Sequence, residues 1–318
     1  MTSRSERALA ALLAALVLAA PATARADGRG ESEDVKKARA EFVAATDHVK
    51  NARWGEALAA FERSAALRPH ALTTYNIGAC EQALGRYTRA RRTFSHALEA
   101  NEAGGGRELP KSFAEDAKRW IAEMDGMLVR ASVTLSPADA TLLVDGAPLT
   151  RGEGGVLVAG LASSDAAVKA PGARFTVLLD PGDHLFAVSR AGYGGAVVRK
   201  TMAAGSTPEL KLDLESLPAT IRIAANRPGA AVAIDGLDVG VAPVEISRPA
   251  GTYRVAVRKT GFVPYLTNVR VSPGDQPTLQ ATLAEETTPV TKRFWFWAVA
   301  ATVVAGAAAG TYFLTRPD

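Results

Sequence analysis

The sequence of 318 residues is poor in the residue types that build most active sites and metal centres. It has one cysteine and four histidines, and aromatic residues make up only 6%. The single thiol, Cys80, excludes an intramolecular disulfide and a thiolate metal cluster. No histidine lies in a metal-ligand spacing, and no phosphate-binding loop, dinucleotide fingerprint or Gly-x-Ser-x-Gly elbow is present. We therefore predict a protein that is not an enzyme and that needs neither a metal nor another cofactor.

The net charge of the chain is also small. At +4 over 318 residues it is too mild to predict a nucleic-acid partner, which requires a clustered basic face. Arg89, Arg91 and Arg92 lie close together, but a solvated helix face explains them without a nucleic acid or a lipid. The sequence thus predicts no nucleic-acid binding.

The first 26 residues have the pattern of a secretory signal peptide. Arg4 and Arg7 precede an apolar run over residues 8–20, which is short for a membrane span, and an Ala-x-Ala site ends at Ala26. We expect cleavage before Asp27 and export of the remaining chain. An uncleaved signal anchor is the alternative.

A second apolar segment, residues 294–314, has the length of a transmembrane helix. Its 21 uncharged residues would measure about 31 Å at ~1.5 Å per residue, enough to cross a hydrocarbon core. Lys292 and Arg293 precede the segment and only Arg316 follows it, a bias that alone would place the preceding domains in the cytoplasm. We give more weight to the signal peptide, because the preceding domains are already committed to crossing the membrane before the last apolar segment emerges. We predict a single-pass protein of the inner (cytoplasmic) membrane with most of its chain in the periplasm.

A helical repeat occupies residues 27–130, which have apolar residues at three- and four-residue spacing. Four residues recur 33 positions later in the chain: Trp54, Ala57, Phe61 and Ser64 correspond to Tyr87, Ala90, Phe94 and Ala97. This pattern resembles the tetratricopeptide repeat (TPR), in which small residues lie where two helices cross and large ones fill the gaps. The match covers about residues 33–101, with Ala45 where the family has glycine. Residues 110–127 are interpreted as a capping helix.

The resemblance to TPR proteins implies a concave groove that binds a peptide of a partner protein. The residues at groove positions are Phe42, Lys50, Tyr75, Asn76 and Gln82. Packing within the helical stack is the other interpretation of Phe42 and Tyr75. The carboxylate clamp of some family members is not expected, because Val43 stands where that clamp needs an asparagine. Cys80 is expected to be a buried structural residue.

After residue 130 the pattern changes to short alternating segments broken by Gly, Pro and Asp, which is typical of all-β modules. Aligning Gly182 with Gly251 brings 33 positions into register without a gap, at an offset of 69. Upstream, the Asp145-Gly146 turn matches Asp235-Gly236. Two copies of one module explain these matches, over residues 131–217 and 218–284. The extra residues 151–172 of the first copy are expected to form a disordered loop rather than a lid, and residues 285–293 a linker.

The repeated module resembles the PEGA domain, a small β module of bacterial envelope and surface proteins. The motif position reads Pro249-Ala250-Gly251-Thr252 in the second copy and Asp180-Pro181-Gly182-Asp183 in the first. The resemblance implies extracytoplasmic interaction rather than chemistry. Calcium ligation is conceivable for four aspartates, but their Gly and Pro neighbours favour a role in turns: Asp180, Asp183, Asp235 and Asp238.

The predicted fold class is α+β multidomain, with a short TPR-like helical repeat, two small all-β PEGA-like modules and a C-terminal transmembrane helix. The predicted function is that of a non-enzymatic, membrane-anchored scaffold of the cell envelope. Its helical region would bind a protein partner, and its PEGA-like modules would act as spacers or second contacts. The alternative is a protein that binds a cell-wall polymer or surface glycan. That function requires exposed aromatic rings on the β faces, and the candidates are few: Phe186, Tyr193, Tyr253, Phe262 and Tyr265.

Overall fold

The structure of the protein, a computed structural model, describes residues 32–161 and 172–286, together with 294–295, 297–299 and 301–302. The predicted signal peptide, the linker after residue 286 and most of the predicted transmembrane segment lie outside the described residues. No helix in the described part of the chain combines the length and the apolar character needed to cross a bilayer. The chain divides into two units, Met1–Arg190 with Gly194–Glu215 and Ala191–Tyr193 with Ser216–Asp318.

Between residues 32 and 128 the chain forms five α-helices, each packed on the next. They are α1 (Glu33–Lys50), α2 (Trp54–Leu67), α3 (Ala71–Ala83), α4 (Tyr87–Ala103) and α5 (Lys111–Met127). Ser32 caps the start of α1, because its hydroxyl accepts from the Val35 N–H. The helical region predicted from the periodicity is therefore confirmed.

The 33-residue repeat of the sequence is also a repeat of side-chain packing. The rings of Phe42 and Phe61 meet edge-on at 5.2 Å between centroids, and those of Tyr75 and Phe94, 33 positions later, do the same at 5.2 Å. Ala57 and Ala90 are completely buried at equivalent points, where small side chains let the helices approach closely. The helices thus form two similar pairs followed by α5.

The first β module lies in the same unit as the helices. Its strands are β1 (Val129–Ser136), β2 (Thr141–Val144), β3 (Ala147–Pro148), β4 (Thr150–Arg151), β5 (Leu157–Val158), β6 (Arg174–Leu179), β7 (Gly182–Ser189), β8 (Ala196–Met202) and β9 (Glu209–Asp213). They build a five-stranded sheet in the order β4-β5-β6-β1-β9 and a four-stranded sheet in the order β3-β2-β7-β8.

The second β module has the same plan with two strands fewer. Its strands are β10 (Ala219–Ala225), β11 (Ala231–Ile234), β12 (Leu237–Val241), β13 (Val244–Arg248), β14 (Gly251–Arg258), β15 (Tyr265–Val271) and β16 (Thr278–Ala281). They form sheets in the orders β13-β10-β16 and β12-β11-β14-β15. The core lies between the sheets and contains Ile221, Ile223, Ile234, Val255 and Val257.

The two modules share their strand pairing and register. In each, the first strand pairs antiparallel with one neighbour and parallel with another, β6 and β9 in the first module and β13 and β16 in the second. The Asp145-Gly146 and Asp235-Gly236 turns match as well, because both aspartates have positive φ, 53° and 50°. The duplication seen in the sequence is a duplication of topology.

The segment after residue 150 differs from the expected disordered loop. Residues 150–158 form β4, a 3₁₀ turn (Glu153–Gly155) and β5, which add two strands to the first sheet. Burial is the physical reason, since Leu157 and Val158 are only 3% and 8% exposed beside β6. Their Gly- and Ala-rich surroundings suggested disorder, but the burial of these two aliphatic side chains stabilises β5 beside β6, and β4 then pairs with β5 as the edge strand. Residues 162–171 lie outside the described residues.

Candidate protein-binding surfaces

Two of the five predicted groove residues lie in the core of the helical region. Tyr75 is 5% exposed, and its ring contacts Phe94 and Phe113 with centroids 5.2 Å away in both pairs. Burial, assisted by the nearby charge of Asp116, raises the pKa of Tyr75 to about 12. Asn76 is 3% exposed. Neither side chain is presented to a partner at the surface.

The other three predicted residues are spread over different environments. Phe42 is half-buried against Phe61, and Gln82 is half-buried with its Oε1 atom unpaired in the described structure. Lys50 is exposed and pairs with Asp47 at 3.0 Å. The five residues therefore do not form one exposed patch.

Sequence reasoning considered Val43 only as the residue that excludes a carboxylate clamp, and it did not predict a binding surface on the exposed face of α1. Side chains at three- and four-residue spacing line a shallow depression there: Lys36, Arg39, Ala40, Val43, Ala44 and Asp47. Val43 is 55% exposed in its middle. Lys50 continues the same stripe, since it lies three residues after Asp47. An exposed aliphatic residue outside the repeat's core positions was the signal that could have identified this face.

Asp180 joins the first β module to the helical region. It follows β6, and its carboxylate accepts from the Thr88 N–H at 2.7 Å and from the Thr88 hydroxyl at 3.3 Å, in the first turn of α4. The first N–H groups of a helix have no partner within it, and Arg86 at the N-cap provides no side-chain bond. Burial raises the pKa of the Asp180 carboxyl, against the lowering effect of the bonds from Thr88. Asp180 thus caps α4 from another domain.

His184 and two main-chain contacts reinforce this junction. His184 Nε2 lies 2.8 Å from the carbonyl oxygen of Asp180, and Nδ1 lies 2.6 Å from the carboxylate of Asp145. Arg89 donates to the Gly160 carbonyl at 2.6 Å. In the second module, Tyr253 occupies the position of His184 and donates to Pro249 at 2.7 Å.

A glycine in the turn between β8 and β9 makes a second contact with the helices. The Gly205 N–H donates to the Met127 carbonyl at 2.9 Å, and its φ is +67°. A Cβ atom at this position would lie 2.7 Å from the Gly126 carbonyl oxygen. No side chain fits there, so the close approach of the two backbones depends on glycine.

Cys80 is buried, and the aspartates of the two Asp-Gly turns are occupied by structural hydrogen bonds. Cys80 is 1% exposed, and burial raises the pKa of its thiol to about 12, with a contribution from the neighbouring charge of Glu81. Asp235 accepts from the Arg254 N–H at 2.8 Å, and Asp145 from the Leu185 N–H at 2.9 Å, so both serve the turns as predicted. Within the described residues no group of three or more His, Cys, Asp or Glu side chains is placed to hold a metal ion.

The aromatic residues of the β modules do not form an exposed platform. Phe186 is fully buried, and the other four candidates, Tyr193, Tyr253, Phe262 and Tyr265, are half-buried. The guanidinium of Arg227 lies 5.1 Å from the centroid of Phe262, which further covers that ring. A stacking surface for sugar rings would need rings that are open on one face.

Comparisons with known proteins assign one part of the chain. No curated protein matches it. Among solved structures, the TIE protein of Bacillus anthracis is 13% identical with a TM-score of 0.30, over 51% of this chain and 34% of that one. A leucine-rich repeat protein of Bacteroides thetaiotaomicron is 14% identical with a TM-score of 0.14, over 51% of this chain and 27% of that one. The major pilin T-13 of Streptococcus pyogenes is 9% identical with a TM-score of 0.17, over 51% of this chain and 98% of that one. The chain thus spans only about a third of the length of the first two. The PEGA domain family matches residues 219–287, and the second β module is therefore a PEGA domain.

Proposed function

We propose that this chain is a non-enzymatic scaffold of the bacterial cell envelope. Residues 294–314 would anchor it in the inner membrane, with its domains in the periplasm, and its TPR-like helices would bind a protein partner. The PEGA domain at residues 219–287 carries this proposal, because the family belongs to envelope and surface proteins. The repeated ring pairs Phe42–Phe61 and Tyr75–Phe94 support a stack of helical repeats.

The exposed face of α1 around Val43 is the surface on which we place the partner. It offers an exposed aliphatic centre at Val43, basic residues at one end and the Asp47–Lys50 pair at the other. Such a stripe suits a partner segment with an aliphatic side chain between charged ones of both signs. The buried groove positions Tyr75 and Asn76 would then stabilise the stack rather than contact the partner.

Photo-crosslinking in cells tests the partner surface. A photoreactive amino acid at Val43 is expected to yield one discrete crosslinked protein, whereas the same residue at Leu84, which is 37% exposed, should yield none. Val43→Asp should abolish the interaction without unfolding the chain, because the side chain is already solvated. Equal crosslinking at both positions would contradict the proposal, as would sedimentation with purified peptidoglycan that is unaffected by Val43→Asp, which would favour the glycan-binding function.

Cysteine labelling tests the topology. Cys80 is buried, so the natural chain should not react with a membrane-impermeant maleimide. Arg270→Cys places a thiol on the exposed face of β15. We expect this variant to be labelled in cells whose outer membrane alone is permeabilised. Labelling only after lysis of the inner membrane would place the PEGA domain in the cytoplasm and refute the proposed topology.

A further inference from the structure

Strand β13 of the PEGA domain has a free edge. It lies at the end of the sheet β13-β10-β16, and no strand of the described chain pairs with its outer side. Its pairing with β10 is antiparallel, with Ile246 opposite Ile221 and Ser247 opposite Thr220. A sheet edge exposes unpaired N–H and C=O groups, which can accept a further strand.

The first β module shows what covers this edge when it is occupied. There β6 is the equivalent of β13, and β5 pairs in parallel with its outer side, Leu157 opposite Val177 and Val158 opposite Leu178. Because the two modules share one register, Val177 corresponds to Ile246 and Leu178 to Ser247. Within the described residues, the chain therefore adds a strand to one copy of the module and leaves the same position open in the other.

The main-chain groups of Ser247 point outward from the sheet. The Ala159 N–H donates to the Leu178 carbonyl at 2.9 Å, which shows that the main chain of Leu178 faces β5 rather than β1. Alternate residues of a strand direct their N–H and C=O to opposite sides. At the equivalent position, Ser247 thus offers one donor and one acceptor that β10 does not use.

Burial differs between the two modules in the way that a missing strand predicts. In β6, Phe175, Val177 and Leu179 are 7%, 0% and 0% exposed. Their equivalents in β13, Val244, Ile246 and Arg248, are only half-buried. Covering the edge of β13 would therefore remove further apolar surface from water, in addition to satisfying the main-chain groups.

We propose that the outer edge of β13 binds an extended peptide segment of another protein by strand addition. The segment runs parallel to β13 opposite Ile246 and Ser247, and it carries three adjacent aliphatic residues followed by a small one. This chemistry is that of residues 156–159, which fill the equivalent position in the first module with Leu157 and Val158 buried. The site is separate from the face of α1 and does not depend on the partner proposed there.

Fluorescence anisotropy with the purified full-length chain tests the site. The probe is a labelled peptide of the sequence Gly-Gly-Val-Leu-Val-Ala-Gly, which copies residues 154–160. We expect saturable binding. Ser247→Pro removes the outward N–H but no bond to β10, so it should weaken binding about tenfold, whereas Ser247→Ala should change it by less than about twofold. Circular dichroism checks that both variants are folded.

A second measurement does not require that the proline variant fold. Ser247→Cys is offered the same peptide with cysteine at its second valine, activated as a thiopyridyl disulfide. The Ser247→Cys thiolate attacks the sulfur of the peptide cysteine and displaces thiopyridine. The product is a mixed disulfide between the protein and the peptide. We expect fast exchange with Ser247→Cys and slow exchange with Arg270→Cys.

Two outcomes would overturn the proposal. One is a lack of saturable binding together with equal exchange rates at the two positions. The other is a dimer of the chain alone that Ser247→Pro abolishes and the peptide does not compete with, since the edge would then belong to a second copy.

Discussion

Two glycines at equivalent positions of the β modules allow a matched test of backbone packing. Gly192 and Gly261 are 69 positions apart, and both have a φ of +81°. A Cβ atom on Gly192 would lie 2.1 Å from the Pro273 carbonyl oxygen, whereas a Cβ on Gly261 would meet nothing within 4 Å. Gly192 and Pro273 both belong to the second unit. Gly192→Ala and Gly261→Ala therefore share one conformational strain and differ in one contact.

The size of the difference follows from that contact. Alanine in the left-handed region costs about 1–2 kcal/mol in either variant. At position 192 the Cβ would also be about 1.2 Å too close, since carbon and oxygen normally approach to ~3.3 Å. Both atoms in this contact lie on or next to backbone, so the relief requires a main-chain shift, which costs about a further 1–3 kcal/mol. We expect Gly192→Ala to destabilise the second unit by about 2–5 kcal/mol and Gly261→Ala by about 1–2.

Thermal unfolding of the purified full-length chain, followed by calorimetry, measures both variants. A domain of this size loses roughly 4–8 °C in Tm per kcal/mol, so Gly192→Ala should melt at least about 5 °C below Gly261→Ala. The hydrogen bond from the Leu217 N–H to the Gly192 carbonyl, 2.9 Å long, should weaken in the same variant. Equal Tm values for the two variants would refute the argument, because the shared strain would then account for the whole effect.

Three further predictions concern the helical unit. The Cys80 thiol should react with a disulfide reagent at pH 8 only in the unfolded chain, because burial raises its pKa to about 12, and fast labelling of the native chain would contradict this. Asp180→Asn keeps the acceptor for Thr88 and should cost less than the ~1–2 kcal/mol expected for Asp180→Ala in urea unfolding. Because burial raises the folded pKa of Asp180, the free energy of unfolding of the natural chain should increase as the pH falls from that raised pKa towards the usual 3.8. The Asn variant should lack this increase, and identical pH dependences of the two chains would contradict the prediction. Phe94→Ala should cost about 3–5 kcal/mol in the same assay, because the ring is fully buried, and a loss under about 1 kcal/mol would contradict the packing.

Repetition made much of the fold predictable from the sequence. The 33-residue repeat placed Phe61 and Phe94 at equivalent points, and the structure gives each the same edge-on ring contact. The 69-residue offset and the Asp-Gly turns located both β modules, because a local turn signal requires no knowledge of distant partners. Patterns that recur within one chain act as an internal alignment.

Features that depend on long-range pairing were not predictable. Leu157 and Val158 belong to an apolar run of only four residues, 156–159, which lies among glycines and alanines and does not by itself separate a strand from a loop. It becomes a strand through β6, whose paired residues Val177 and Leu178 lie 20 positions later in the chain. Asp180 looked like a turn residue because Pro181 and Gly182 follow it. Its bond to Thr88 was not predictable, because Thr88 lies 92 positions earlier in the chain. The groove positions Tyr75 and Asn76 were assigned from the resemblance to TPR proteins. The burial of Tyr75 depends on Phe94 of α4 and Phe113 of α5, which the local pattern does not specify.

The differences between the two modules indicate which contacts are particular to one copy. The equivalent turns at Gly205 and Gly274 each approach another glycine, with a Cβ only 2.7 Å from the Gly126 carbonyl oxygen in one case and from the Gly192 Cα in the other. Both copies use this turn for a close backbone contact, so the contact is part of their common plan. Asp180, by contrast, corresponds to Pro249, and it is Asp180 that caps a helix. Among the strands that the structure describes, β5 likewise has no counterpart beside β13. The two copies have the same core and differ at the outer edges of β6 and β13. A surface that is open in one copy and filled in the other is therefore better explained by a different neighbour than by a different fold.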